Sequence, residues 1–259
     1  MQPDVSQDSE ALSNFDVDLD ALYADINRTG VGTLHGVISA DFLDRMRRYI
    51  GDELERRGGE YFGLDRAGGI EDTPLAPVIH HAGLTAAMSA LYERAMGEAP
   101  PHERVFPMLR VLAGSTGLRH AHLYHYDSYV VTALVPIVIP HRPDEPRGHL
   151  VMYPNLRAVR RRVLANVLEK AVIESPFARR LWRSGWVQRA LGARIVPLTP
   201  GNVYFFWGMR SLHANEACLP TSVRSTALLH LGDPHEGSPL KRFSQGLHRR
   251  RLRRLAQVA

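Results

Sequence analysis

A single cysteine, Cys218, stands in a chain of 259 residues, so no internal disulfide can form. One free thiol fits a reducing, cytoplasmic compartment. Long apolar runs are also missing. The longest, residues 129–140, carries two prolines and strand-type residues and falls short of the roughly 20 apolar residues a membrane-crossing helix needs. The opening MQPDVSQDSEALSNFDVDLD has neither the basic nor the apolar stretch of a signal peptide. No internal repeat or low-complexity tract is present. Acidic residues are scarce in two places. Residues 155–194 hold ten Arg and Lys against Glu169 and Glu174, and residues 241–254 hold seven and no acid. With a net charge of +5 overall, these segments at +8 and +7 leave the rest of the chain about −10. Basic charge is therefore concentrated where it can meet an anion. Aromatics are not interleaved with these arginines as a base-stacking platform requires, which argues against nucleic acid.

What is present divides into helices first and strands later. Residues 1–17 are expected to be disordered. DLDALYADINRTG reads as a short helix closed by Gly30, VGTLHGVIS as a strand, and ADFLDRMRRYIGDELERRGG as an amphipathic helix with Phe42, Leu43, Met46, Ile50 and Leu54 on one face. Residues 83–97 read as a further helix. From residue 104 the texture changes to short segments rich in Val, Leu, Tyr and Phe, separated by Gly, Pro and Asp: RVFPMLRVLAG, LRHAHLYHYD, YVVTALVPIVIP, GHLVMYP, ARIVPLTPGNVYFFWG and RSTALLHLGD. A helical insertion, residues 155–192, interrupts them. Ser175-Pro176 stops its first helix and suits the cap and first position of the next. This order predicts a mainly β fold with helices, an antiparallel barrel or sandwich buttressed by N-terminal helices. The boundaries are a single domain over 18–240 and a basic tail or helix at 241–259.

One constellation carries chemistry. On a strand, residues i and i+2 face the same way, so His125 and Asp127 can present an imidazole and a carboxylate to one point. With thirteen histidines a chance His-x-Asp is common, and a third ligand is needed. PGNVYFFWGMRSLH supplies one in His213, after a turn and a strand. Eleven residues on, Arg224 opens the last strong strand, with Thr226 on the same face. Strand parity turns His120, His122 and Tyr124 away from His125 and Asp127, and His230 reads as a barrel-wall histidine.

His-x-Asp, a distant His after a Pro-Gly-x-hydrophobic-Phe strand, and Arg-x-Thr some ten residues later together resemble the iron(II)/2-oxoglutarate-dependent oxygenases. LYADINRTGVGTLHGVISADFLDRMRRYI is similar to the opening of their phytanoyl-CoA hydroxylase-like branch. The resemblance covers about residues 20–235. It implies a double-stranded β-helix (jelly-roll, cupin-like) fold, iron(II) held by His125, Asp127 and His213, and open positions on the metal for 2-oxoglutarate and O2. Arg224 and Thr226 then grip the distal carboxylate of 2-oxoglutarate, with Thr132 a further contact. Halogenating relatives replace the carboxylate ligand by a small residue, so Asp127 points to hydroxylation, or to desaturation, ring closure or epimerisation, with release of succinate and CO2. Arg110 and His122 are candidate substrate contacts, and Trp182 and Trp186 are expected to pack the insertion. The insertion itself is expected as a lid over the barrel mouth. Its charge predicts a small or carrier-bound, anionic substrate, or an acidic protein partner. Three alternatives remain open at this point: a cupin using His120 and His122, a non-catalytic metal-binding barrel, and a hydroxylase of protein side chains.

Overall fold

The computed structural model describes residues 11–13, 15–141, 145–160, 169, 172–173 and 175–235. Among these, strands β1 (Gly32–Leu34), β2 (Phe62–Leu64), β3 (Phe106–Leu112), β4 (Val131–Val138), β5 (Leu150–Tyr153), β6 (Arg194–Val196), β7 (Val203–Trp207), β8 (Leu212–Asn215) and β9 (Arg224–Leu231) form two antiparallel sheets. The larger has the order β1-β7-β4-β9-β3-β2, the smaller β6-β5-β8. From β4 onward the chain steps between them: β4 in the large sheet, β5 and β6 in the small, then β7 large, β8 small and β9 large. That winding is the double-stranded β-helix.

Side-chain alternation gives each sheet two unlike faces. In the large sheet Val131, Ala133, Val135 and Ile137 of β4, Val203, Phe205 and Trp207 of β7, and Ala227, Leu229 and Leu231 of β9 pack against the helices. These are α1 (Leu19–Thr29), α2 (Ala40–Arg56) and α3 (Ala82–Met96), which contribute Ile26, Phe42, Met46, Ile50, Leu84, Met88 and Leu91. The intervening residues face the small sheet, where Leu134, Tyr204 and Phe206 meet Leu150, Met152 and Leu198. Parity places Thr132, Arg224, Thr226 and His230 on this inner face. Pro136, which has no N–H to give, sits where the β4–β9 register shifts, a position a sheet tolerates.

The helix ends follow their sequence signals. The Asp18 carboxylate accepts from Asp20 N and Ala21 N at the start of α1, and Gly30, at φ 91°, closes it. Ser39 caps α2 by accepting from Phe42 N. In the insertion, Ser175 accepts from Ala178 N and caps α4 (Pro176–Trp182), which leads to α5 (Gly185–Ala190).

Four expectations need correction. LRHAHLYHYD is not a strand. Leu118–His120 is a 3-10 turn, His122 adopts φ 53°, which breaks any pleat, and beyond it only His125 makes a bridge, to His213. ARIVPLTPGNVYFFWG is two strands, β6 and β7, because Gly201 at φ 99° turns the chain between sheets. The expected N-terminal disorder does not hold for residues 11–13. Ala11 and Leu12 are buried, Leu12 bridges to Ile38, and Ser13 N donates to Val37 O (2.9 Å). The described part of the insertion is not a lid. Ile173 and Val187 pack with Val151, Tyr153, Leu212 and Ala214, the outer face of the small sheet, because those residues alternate with the inward Met152 and His213. The Tyr153 hydroxyl donates to Trp182 O (2.6 Å) and the two rings meet edge to face at 5.5 Å. Trp182 packs as expected, whereas Trp186 is 71% exposed. The insertion's first helix falls mostly outside the described residues, as does the tail at 241–259. Among the described residues no helix is long and apolar enough to cross a membrane.

Candidate metal centre

The irregular segment 121–130 is held by backbone hydrogen bonds that a regular strand would not make. His122 N donates to Asn215 O (2.8 Å), His125 N to His213 O (3.0 Å), and Asp127 N to Gly208 O (2.9 Å). His213 N returns a bond to His125 O (3.1 Å), so two ligand candidates are cross-strand partners. Their rings lie 4.5 Å apart, and Phe206 meets His213 edge to face at 4.9 Å.

Ligand atoms of His125, Asp127 and His213 all lie within 4.8 Å of one another, and no other such group of three occurs among the described residues. Both histidines are oriented by the backbone. His125 Nδ1 is 2.8 Å from Leu123 O and His213 Nδ1 is 2.9 Å from Ser211 O. A carbonyl only accepts, so each Nδ1 carries the proton and each Nε2 keeps its lone pair. Both Nε2 atoms sit 3.6 Å from Asp127 Oδ1. Two lone pairs and a carboxylate oxygen thus converge on one point. Burial drives the His213 pKa down to about 4, so its imidazole is neutral, as a ligand must be. Burial alone would raise the Asp127 carboxyl, but the imidazoles of His213, His230 and His125 outweigh it and hold that group well below the usual carboxylate range. Asp127 and His213 are buried, while the His125 side chain is 34% exposed and marks the open side. The donor set fits a hard-to-borderline divalent metal such as iron(II).

Arg224 is 3% exposed. Its Nε donates to Gly148 O (2.7 Å) and its Nη1 to Thr226 Oγ1 (3.2 Å). No carboxylate pairs with it among the described residues. Burial first, then the nearby Arg110 guanidinium, lower its pKa to about 10. Arg110 is the direct cross-strand partner of Thr226, half-buried and without an acidic partner among the described residues. An unneutralised buried guanidinium is costly, and an anion seated beside it would offset that cost.

The remaining expected residues are placed differently. Thr132 meets Asp127: its Oγ1 is 2.6 Å from Asp127 Oδ2 and 3.0 Å from His230 Nδ1. His122 is absent from the ligand group; its imidazole is pulled down in pKa by burial, then by Arg183 of the insertion, against Glu216. His120 stacks on Tyr61 at 3.6 Å. Neither joins a metal group, which removes the support for a cupin arrangement. In the insertion, Arg157 and Arg160 both bind Glu169, at 2.7 and 2.8 Å, so part of the basic charge there is internally neutralised.

Two glycines carry functional weight that composition alone does not signal. A Cβ on Gly208 would lie 2.6 Å from both Asp127 Oδ2 and Thr132 Oγ1. A Cβ on Gly148 would lie 2.8 Å from Arg224 Cδ, and its φ of 66° disfavours any other residue. Both stand at strand ends, in FFWG and GHLVMYP, which is the one trace the sequence offers.

No protein-family model matches this chain, and no curated protein matches it in sequence. Solved structures do match. The non-heme alpha-ketoglutarate-dependent carbocyclase SnoK from nogalamycin biosynthesis superposes with a TM-score of 0.56 at 18% identity, over 84% of this chain and 85% of that one. The chain has the fold of these oxygenases. A prolyl 4-hydroxylase from Phytophthora capsici gives a TM-score of 0.55 at 12% identity, over 92% of this chain and 68% of that one. The epimerase SnoN, solved in complex with Fe3+, alpha-ketoglutarate and a nogalamycin compound, gives 0.50 at 16% identity, over 83% of each.

Proposed function

We propose that this chain is a non-haem iron(II)- and 2-oxoglutarate-dependent oxygenase that hydroxylates an unactivated C–H bond of a small or carrier-bound anionic substrate. The observation that carries the proposal is the conjunction, between the two sheets, of a His-Asp-His donor set with the buried guanidinium of Arg224, which meets no anion among the described residues. Either feature alone has ordinary explanations; together they match a metal and a dicarboxylate cosubstrate. His125, Asp127 and His213 would hold the iron. Arg224, with Thr226 beside it, would take the distal carboxylate of 2-oxoglutarate in a forked, charge-assisted pair. When bound, iron, 2-oxoglutarate and O2 supply the oxidant, with succinate and CO2 as coproducts.

The chain's own contributions follow from the geometry. The carbonyls of Leu123 and Ser211 keep both Nε2 atoms turned to the metal point. Phe206 and the buried Leu134, Tyr204 and Met152 line the space between the sheets and exclude water from it. A carboxylate at position 127 occupies the place that a halide would need, which argues against halogenation and leaves hydroxylation beside desaturation, ring closure or epimerisation. Arg110, beside Thr226 and without an acidic partner among the described residues, is the residue assigned to an anionic group of the substrate. His122, whose imidazole feels Arg183 of the insertion, is the second residue assigned to the substrate.

The test is an anaerobic titration of metal-free protein with iron(II) and 2-oxoglutarate, watching for their visible charge-transfer absorption. A band that needs both additions and vanishes in His213→Ala is the expected result. A folded, iron-loaded protein that shows no band refutes the proposal.

A further inference from the structure

We infer that Thr132 and His230 are positioning residues that decide which oxygen of Asp127 meets the metal. The inference rests on the metal centre proposed above.

Asp127 has two carboxylate oxygens in different surroundings. Oδ1 lies 3.6 Å from each of the two Nε2 atoms. Oδ2 points the other way, 2.6 Å from Thr132 Oγ1 and 3.7 Å from His230 Nδ1. The ionised carboxylate only accepts, so the single hydroxyl proton of Thr132 goes to Oδ2. The Thr132 oxygen then offers a lone pair to His230 Nδ1 at 3.0 Å, and that nitrogen must carry a hydrogen. The result is a directed relay, from the His230 N–H to the Thr132 oxygen and from the Thr132 O–H to Asp127 Oδ2.

Sheet register sets this relay. Thr132 of β4 and His230 of β9 are direct antiparallel partners, so their side chains stand side by side on the inner face. Thr132, His230 and Asp127 are all at most 9% exposed, so no bulk water competes for these bonds. Tyr129 stacks on the His230 ring at 5.1 Å and 17°, which fixes its plane. Gly208 closes the back, leaving no space for another group beside Oδ2 and the hydroxyl.

Chelation of a metal by both oxygens would make the metal compete with the Thr132 hydroxyl for the density on Oδ2, one of whose lone pairs is already held in a 2.6 Å charge-assisted bond. The relay therefore favours binding through Oδ1 and keeps the metal's other positions free. It also removes Thr132 from the cosubstrate: its one proton is already given.

Cobalt(II) titration of the metal-free full chain, read by visible absorption and without cosubstrate or turnover, tests this. Thr132→Val keeps the shape and deletes the hydroxyl. It is expected to weaken cobalt binding by about 10- to 100-fold and to alter the spectrum, while the thermal midpoint stays within a few degrees. Thr132→Ser restores both affinity and spectrum. His230→Leu leaves Thr132 in place, removes its donor, and shifts the spectrum in the same direction; it carries the test should the valine variant fail to fold. Variants that match a cobalt-binding wild type in affinity within twofold and in spectrum overturn this inference and leave the metal centre standing. A wild-type chain that takes up no cobalt overturns the metal centre, and the relay with it.

Discussion

The two ends of the inner sheet face are built on opposite principles. At the metal end, the polar atoms behind the three donor atoms are already matched within the protein: the two Nδ1 atoms by backbone carbonyls, Asp127 Oδ2 by Thr132, Thr132 by His230. At the arginine end, two guanidinium groups, Arg224 and Arg110, share one corner with a threonine and no anion among the described residues. The first end is organised in advance, so a metal arrives at ligands already aimed. The second holds positive charge that the protein leaves unneutralised among the described residues, a cost that the proposed carboxylate guest would offset. On the proposed reading, selectivity for an anion is an unmet need and selectivity for a metal a met one.

Three measurements sharpen or break that contrast. The largest effect is expected at the metal end, from pH. The His213 pKa is about 4 in the folded chain, against about 6.5 unfolded. The unfolded state therefore binds more protons between those values, and the contribution is fully present above pH 6.5 and lost as pH falls toward 4. The buried Asp127 carboxyl, held low, acts with the same sign further down. Metal-free protein should lose about 3 kcal/mol between pH 7 and pH 4 by thermal or urea unfolding, and less in a His213→Gln background. A flat profile over that window would mean that the metal end is not organised as described. Next, Arg224→Gln should weaken 2-oxoglutarate binding by about 100-fold, read from the charge-transfer titration. The same substitution should leave the thermal midpoint of ligand-free protein unchanged or raised, because it removes an unpaired buried charge. A midpoint lowered by some 10 °C would show that Arg224 is structural first. The smallest effect is expected from Arg110→Gln. If the proposed activity holds, wild-type protein should favour a carboxylic acid over its methyl ester by about 10-fold in stimulated succinate formation, and the variant should lose that preference. An unchanged preference would move the anion-binding role away from Arg110.

The three donor residues were legible in the sequence through their conjunction: a chance His-x-Asp is common, but one followed by a distant His after a turn and strand is far less so. The layout of helices before strands was equally plain from hydrophobic periodicity. Tertiary placement was not. LRHAHLYHYD alternates like a strand, yet its backbone hydrogen bonds go to β8 and the β7–β8 turn, which no local pattern encodes. The pairing of Thr132 with His230 depends on a register between strands nearly a hundred residues apart, so a wall histidine and a cosubstrate threonine were the natural local expectations. The insertion's seat on the back of the small sheet follows from which parity of β5 and β8 faces inward. That parity exists only once the sheets are stacked.

Arg224 also touches Gly148, on the segment leading into β5, so one side chain spans from the large sheet to the small one. That bond is made without any guest, so the spacing of the two sheets at this edge is set by the protein itself. A dicarboxylate reaching the remaining guanidinium nitrogens would meet an opening of fixed width, and a molecule's length as well as its charge would decide whether it fits.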